Sequence, residues 1–144
     1  MAVNKINVEI KSNRVEFEKA LEAVARKVLE QWGIEGSNAA ADLAPYDTGL
    51  LKNSITYAIA GEAPAKTAYK ADDGNASGSY SGQAQADHGG ARHVYIGSNV
   101  EYAPYQELGT AKMRAQPFLG PAIEQNKAHF REILEGELKN ALQN

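Results

Sequence analysis

The chain has 144 residues, 43% of them apolar and 23% charged, with a formal net charge of −3. That length suits one domain spanning residues 1–144, and the composition excludes a wholly disordered or collagen-like chain. Cysteine is absent, which excludes disulfides, thiolate zinc sites and cysteine nucleophiles, and the mild acidity argues against a large nucleic-acid footprint.

No apolar run approaches the roughly 18 residues needed to cross a bilayer. The N-terminus is polar and alternating rather than basic and then apolar, so no signal peptide is expected. From Val3 to Ile10 the pattern has period two, with Ile6, Val8 and Ile10 on one side and Asn7 and Glu9 on the other. This predicts a half-buried strand. From Arg14 the period lengthens. Phe17, Leu21, Val24 and Val28 form one stripe of a helix, with Ser12 or Asn13 as N-cap. Gly33 and Gly36 weaken it by about 1 kcal/mol each, so a break or kink is expected there. An alanine-rich helical piece follows from Ser37 to Ala44, stopped by Pro45.

Leu51 to Ala60 alternates again and predicts a second strand, with Ile55, Tyr57 and Ile59 on one face. Residues 61–92 differ from the rest. Of these 32 residues, 17 are Gly, Ala or Ser, and Tyr69 and Tyr80 are the only large rings. So little apolar surface cannot offset about 1–2 kcal/mol of backbone entropy per ordered residue. The expectation is a long flexible loop, or an arm that orders against a neighbouring subunit through Tyr69 and Tyr80.

His93 to Ser98 predicts a third strand. Glu101 to Leu108 predicts a short helix around Ala103-Pro104-Tyr105, closed by Gly109. Lys112 to Gln116 is read as a last short strand. A final helix is expected from Phe118 to Leu142, with Ile123, Phe130, Leu134, Leu138 and Ala141 as its stripe. The fold class that results is α+β: a small antiparallel sheet packed by a long N-terminal and a long C-terminal helix.

The search for chemistry finds no active site. Asp47-Thr48-Gly49 matches the turn that retroviral-type aspartic proteases place in each of two subunits. That motif follows an apolar strand, whereas here a helical piece and Pro45 precede it and Leu50-Leu51-Lys52 follows. A structural turn is the better reading: Asp47 caps it and Gly49 supplies a permissive backbone. His88, His93 and His129 lack metal-helix spacing. Asp72-Asp73-Gly74-Asn75 lacks the twelfth-position glutamate of a calcium loop and reads as a solvated turn. Gly89-Gly90 has no Gly-Lys-Ser/Thr after it, and no serine sits in a nucleophile elbow. No cofactor and no metal are expected. What remains is aromatic and apolar material in an irregular region: Tyr95, Tyr102, Tyr105, Met113 and Phe118. Such residues serve either core packing or an interface.

Four blocks carry a resemblance. Pro45-Tyr46-Asp47-Thr48-Gly49-Leu50-Leu51-Lys52-Asn53-Ser54-Ile55 resembles the Pro-x-Asp-Thr-Gly-x-Leu-(Arg/Lys)-x-Ser-Ile signature of bacteriophage tail-component proteins, the gene-product-ten-like head–tail joining family of long-tailed phages. Val94-Tyr95-Ile96-Gly97, followed by Tyr102-Ala103-Pro104-Tyr105, is similar to that family's Val-Tyr-Val-Gly-x-x-x-x-Tyr-Ala-x-Tyr block. Glu107-Leu108-Gly109-Thr110 resembles its Glu-x-Gly-Thr turn, and Ala115-Gln116-Pro117-Phe118-Leu119-Gly120-Pro121-Ala122 resembles its Ala-Arg-Pro-Phe-Leu-x-Pro-Ala block. Gln116 replaces the usual arginine and Leu108 the usual phenylalanine.

The resemblance implies an α+β structural protein and no enzyme. Its expected work is to join head to tail as a neck or tail-completion ring of identical subunits. The expected neighbours are neck, head-completion, and tail-terminator or tail-tube proteins. Genomic DNA would pass through the lumen without specific binding, and no membrane is involved. The protein would assemble in the bacterial host cytoplasm and reside in the virion at the head–tail interface. The residues implied to shape its turns and frame are Pro45, Asp47, Thr48, Gly49, Leu51, Ser54, Gly97, Tyr102, Ala103, Tyr105, Gly109, Thr110, Pro117, Phe118, Leu119 and Pro121. Candidate assembly contacts are Tyr69, Tyr80, Tyr95, Tyr102, Tyr105 and Met113. A tail terminator capping the tube is the alternative within the class. An aspartic-protease-like half-site at Asp47 and a nucleic-acid-binding module are the alternatives outside it.

Overall fold

A computed structural model describes residues 2–87 and 92–143, with side chains from Glu16 onward. His88 and the Gly89-Gly90 pair weighed above lie outside the described residues. The chain is α+β. Helix α1 (Ala2–Leu43) is followed by α2 (Leu50–Ser54), β1 (Thr56–Ile59), β2 (Ala68–Lys70), β3 (Ser77–Ser79), β4 (Val94–Gly97), α3 (Ala103–Leu108), α4 (Leu119–Gln125) and α5 (Lys127–Gln143).

The expected N-terminal strand is helical, so Ser12 and Asn13 lie within α1 rather than at its start. A period-two stretch becomes a strand only when another strand completes its ladder, and β1 and β4 pair with each other. Extending an existing helix costs far less than nucleating a new element. Nor do Gly33 and Gly36 break α1. They are where the sheet meets it. A Cβ at Gly33 would overlap the Tyr57 ring, and one at Gly36 would overlap Ile96 Cδ1. With Ser37 and Ala40 also buried, α1 offers a shallow groove of small residues, and the sheet lies in it.

The second expected strand starts late. Gly49 adopts a φ of 81°, the Asn53 N–H donates to the Gly49 carbonyl at 2.8 Å, and residues 50–54 coil into α2 before Ile55 turns extended. β1 then pairs antiparallel with β4, Thr56 opposite Gly97 and Ile59 opposite Val94.

The expected loop is partly ordered. β2 and β3 form an antiparallel hairpin with Tyr69 opposite Gly78. Its turn contains Asp72-Asp73-Gly74-Asn75: the Gly74 N–H donates to the Ala71 carbonyl and the Asn75 N–H to Asp73 Oδ1, each at 2.9 Å. Composition gave no hint of this hairpin because its stabilising partners lie elsewhere in the chain.

α3 begins with proline in its first turn and ends at Gly109, as its sequence predicts. Lys112–Gln116 is not a strand. It is a closed loop, in which the Thr110 N–H donates to the Met113 carbonyl at 2.9 Å and the Gln116 N–H to the Gln106 carbonyl at 2.7 Å. The last helix is two helices. Asn126 divides them, its amide donating to the Ala122 carbonyl at 2.7 Å in competition with the backbone.

The core gathers Ala40, Leu51, Ile55, Val100, Ala103, Phe118 and Ala122, with Phe118 fully buried. α5 runs back along α1. Trp32 Nε1 donates to the Phe130 carbonyl at 2.9 Å, and Lys27 Nζ pairs with Glu137 at 3.1 Å. No α5 residue is fully buried, and Phe17 and Leu21 of the expected α1 stripe are exposed while Val28 is buried. Among the described residues, no helix is long and apolar enough to cross a membrane.

Candidate functional site

Pro45 ends α1 and the chain turns at Asp47-Thr48-Gly49. The capping contact comes from Thr48, not from Asp47: the Leu50 N–H lies 3.4 Å from Thr48 Oγ1. Asp47 is exposed. Asp72, from the hairpin turn, holds this segment. Its carboxylate accepts from the Tyr46 hydroxyl at 2.5 Å and from Asn53 Nδ2 at 2.9 Å, and its N–H donates to the Thr48 carbonyl at 2.9 Å. The Tyr46 and Asn53 hydrogen bonds hold the Asp72 carboxyl below its ordinary pKa, and the same contact raises Tyr46.

The second anchor of the hairpin is tyrosine. The Tyr69 and Tyr80 rings pack against each other at 5.6 Å between centroids, tilted by 53°. Tyr80 Oη donates to the Ser54 carbonyl at 2.8 Å and accepts from the Asn99 N–H at 3.0 Å, while Tyr69 Oη donates to Asn99 Oδ1 at 2.5 Å. Beneath them the buried Ser54 hydroxyl donates to the Leu51 carbonyl at 2.6 Å and shares a 2.5 Å hydrogen bond with Ser98 Oγ. Lys66 Nζ donates to the Asn53 carbonyl at 2.5 Å, and burial lowers its pKa. The hydroxyls of Tyr69 and Tyr80, the two residues expected to dock on a neighbour, are therefore engaged within their own chain.

A third device joins α3 to α4. Glu107 accepts the N–H groups of Phe118 at 2.7 Å, Leu119 at 3.0 Å and Gly120 at 2.9 Å, capping the N-terminus of α4. Burial pushes the Glu107 carboxyl up, but the three backbone donors outweigh it and hold the pKa below normal. The Glu-x-Gly-Thr and Pro-Phe-Leu blocks are thus parts of one joint.

This frame displays apolar side chains. Tyr102, Tyr105, Leu108 and Met113 are exposed, Leu108 at 79%. Tyr105 and Leu108, three apart on α3, are neighbours on its surface. Tyr102 also lines a cleft of about 550 Å³ with Tyr46, Gln106, Gln116 and the Asp47-Thr48-Gly49 turn. Tyr95 lies apart on the sheet, where it lines a smaller groove with Tyr80 and Pro64. A larger cleft of about 860 Å³ runs beside α1, and several of its ions are paired: Arg26 with Glu62 at 2.8 Å and with Glu30 at 3.2 Å, and Arg92 with Glu22 at 3.3 Å. Among the described residues no group of three or more His, Cys, Asp or Glu side chains could hold a metal ion.

Neither the hub role of Asp72 nor the capping role of Glu107 carries a signal in the sequence. A capping box spans three residues, whereas Glu107 reaches Phe118 across 11, so no local pattern marks it. Comparison with known proteins gives no matching family model, no matching curated protein and no matching solved structure.

Proposed function

We propose that this chain is a structural subunit of the head–tail joint of a long-tailed bacteriophage, a neck or tail-completion protein that acts by contact and turns over no substrate. The order of its sequence blocks supports this reading. The observation that carries it is the exposed set Tyr102, Tyr105, Leu108 and Met113, mounted beside the Glu107 joint. Isolated exposed apolar residues are ordinary, but two tyrosines and a leucine on one short, pinned helix and its N-cap, with a methionine in the next loop, mark a protein-binding surface. In a ring of identical subunits this surface meets a different surface of the next copy or layer. The net charge of −3 suits a lumen through which DNA slides, because phosphates are not paired there.

Deleting the gene from a phage that carries it tests the reading. Electron microscopy should find DNA-filled heads and separate finished tails, restored to virions when the protein is supplied in trans. Tails of abnormal length would point instead to a tail terminator, and normal virions would overturn the proposal.

A further inference from the structure

The two edges of the small sheet are unlike. Ala60 N–H donates to the His93 carbonyl at 3.1 Å. With the observed register this makes Ala58–Tyr95 and Thr56–Gly97 the hydrogen-bonded pairs, and Tyr57–Ile96 and Ile59–Val94 the non-bonded ones. The N–H and C=O groups of Tyr57 and Ile59 therefore face away from β4, and those of Val94 and Ile96 face away from β1. On the β1 side both outward carbonyls are used: that of Tyr57 accepts from Ala65 and that of Ile59 from Glu62, each at 2.9 Å. On the β4 side, no hydrogen bond among the described residues uses the outward groups of Val94 or Ile96.

Exposed sheet edges are usually guarded by lysine, proline, a bulge or a covering element. β4 reads Val94-Tyr95-Ile96-Gly97, with no charge and no proline. It packs against β1 and α1, and the space beside Gly97 is open. Val94 and Ile96 turn the same way, Ile96 onto Gly36 of α1, so Tyr95 projects from the opposite face, where it is 45% exposed.

We propose that β4 pairs with β4 of a second copy of this chain, giving a four-stranded antiparallel sheet across a twofold axis. An uncharged strand can oppose itself without like charges meeting, which a lysine-guarded edge cannot do. Centred on Tyr95, the pairing joins the outward groups of Val94 to those of Ile96 in the second copy. It also makes the two Tyr95 residues a close non-bonded pair, with both rings on the face turned away from α1. The dimer is a property of the isolated chain and stands apart from the head–tail reading, which complementation tests separately.

The chain lacks cysteine, so single cysteines report this geometry cleanly. Non-bonded antiparallel partners have Cα atoms about 4.5 Å apart, within the range of about 4.4–6.8 Å that a disulfide spans. Oxidised Tyr95→Cys should run as a covalent dimer, and Lys52→Cys, on exposed α2 surface, should not. By analytical ultracentrifugation the wild type should be a reversible dimer. Val94→Pro, which removes an outward N–H and no bond to β1, should raise the dimer dissociation constant at least tenfold. If circular dichroism finds that variant misfolded, Tyr95→Lys, which sets two ammonium groups opposite each other, gives the same reading. A wild type that stays monomeric to its solubility limit overturns the proposal. So does a dimer that survives both folded variants or cross-links through Lys52→Cys rather than Tyr95→Cys.

Discussion

Glu107 closes a gap between two segments that share no secondary structure. Its three backbone donors make charge-assisted hydrogen bonds, each class worth about 1.5–3 kcal/mol to a charged acceptor. Glu107→Gln keeps one acceptor and loses the charge, so it should cost about 2 kcal/mol in urea unfolding. The sign of the pH dependence follows. The folded pKa lies below the ordinary 4.5, so this stabilisation is complete above that value and fades as pH falls through the folded-state value. The difference between wild type and Glu107→Gln should therefore be full at neutral pH and shrink in acid. An equal difference at every pH would assign Glu107 a purely steric role. At this scale the sequence was legible where the partner is near in the chain: the turn at Asp72–Asn75, the proline at the start of α3 and Gly109 at its end. It was illegible at Glu107 and Asp72, whose partners are distant in sequence.

Helix α1 and the hairpin went astray for opposite reasons. The two α1 glycines were read for their propensity, but tertiary packing overrides a cost of about 1 kcal/mol each. The two should differ on substitution. Gly33→Ala forces a methyl into the Tyr57 ring and its Cβ, a stiff group, whereas Gly36→Ala overlaps only the far end of Ile96 and makes ordinary contact with Phe130 Cζ. A net loss of about 1–2 kcal/mol is expected for Gly33→Ala despite alanine's helix preference. Gly36→Ala should stay near neutral, and thermal melts of both variants decide it. The hairpin escaped notice because small residues normally lack the means to order a chain. Here two tyrosine hydroxyls and one aspartate carry the load instead. Hydrogen exchange of the isolated protein should accordingly be slow at Ala71, Asp72 and Tyr80, whose N–H groups are bonded to Ala76, Thr48 and Thr67. It should be faster at Ser81 to Gln83, which make no backbone hydrogen bond among the described residues. Uniformly fast exchange over 66–83 would mean that the hairpin orders only on assembly.

As a molecule, the chain combines a modest core with a surface that keeps much apolar material outside. The α+β class and the small sheet were legible from the two periodicities, since strands and helices carry different spacings of buried residues. Which apolar residues stay outside was not: Phe118 and Tyr105 look alike in sequence, yet one is fully buried and the other 54% exposed. The proposed division of labour predicts a separation of effects. Leu108 is 79% exposed, so the unfolding free energy of Leu108→Asp should match wild type within about 0.5 kcal/mol, while its ability to restore virions to a deletion phage should be lost. Full rescue by a stably folded Leu108→Asp would remove α3 from the contact surface.

The turn between β2 and β3 has a practical corollary. Its base is riveted through Asp72 and the paired phenols, while at its tip nothing lies within 4 Å of where a Gly74 side chain would begin. Foreign sequence is tolerated best where exposed backbone is spliced and packed backbone is spared. An epitope spliced after Gly74 should leave the melting temperature unchanged and bind its antibody on the folded protein, turning this loop tip into a handle for labelling whatever particle takes up the chain.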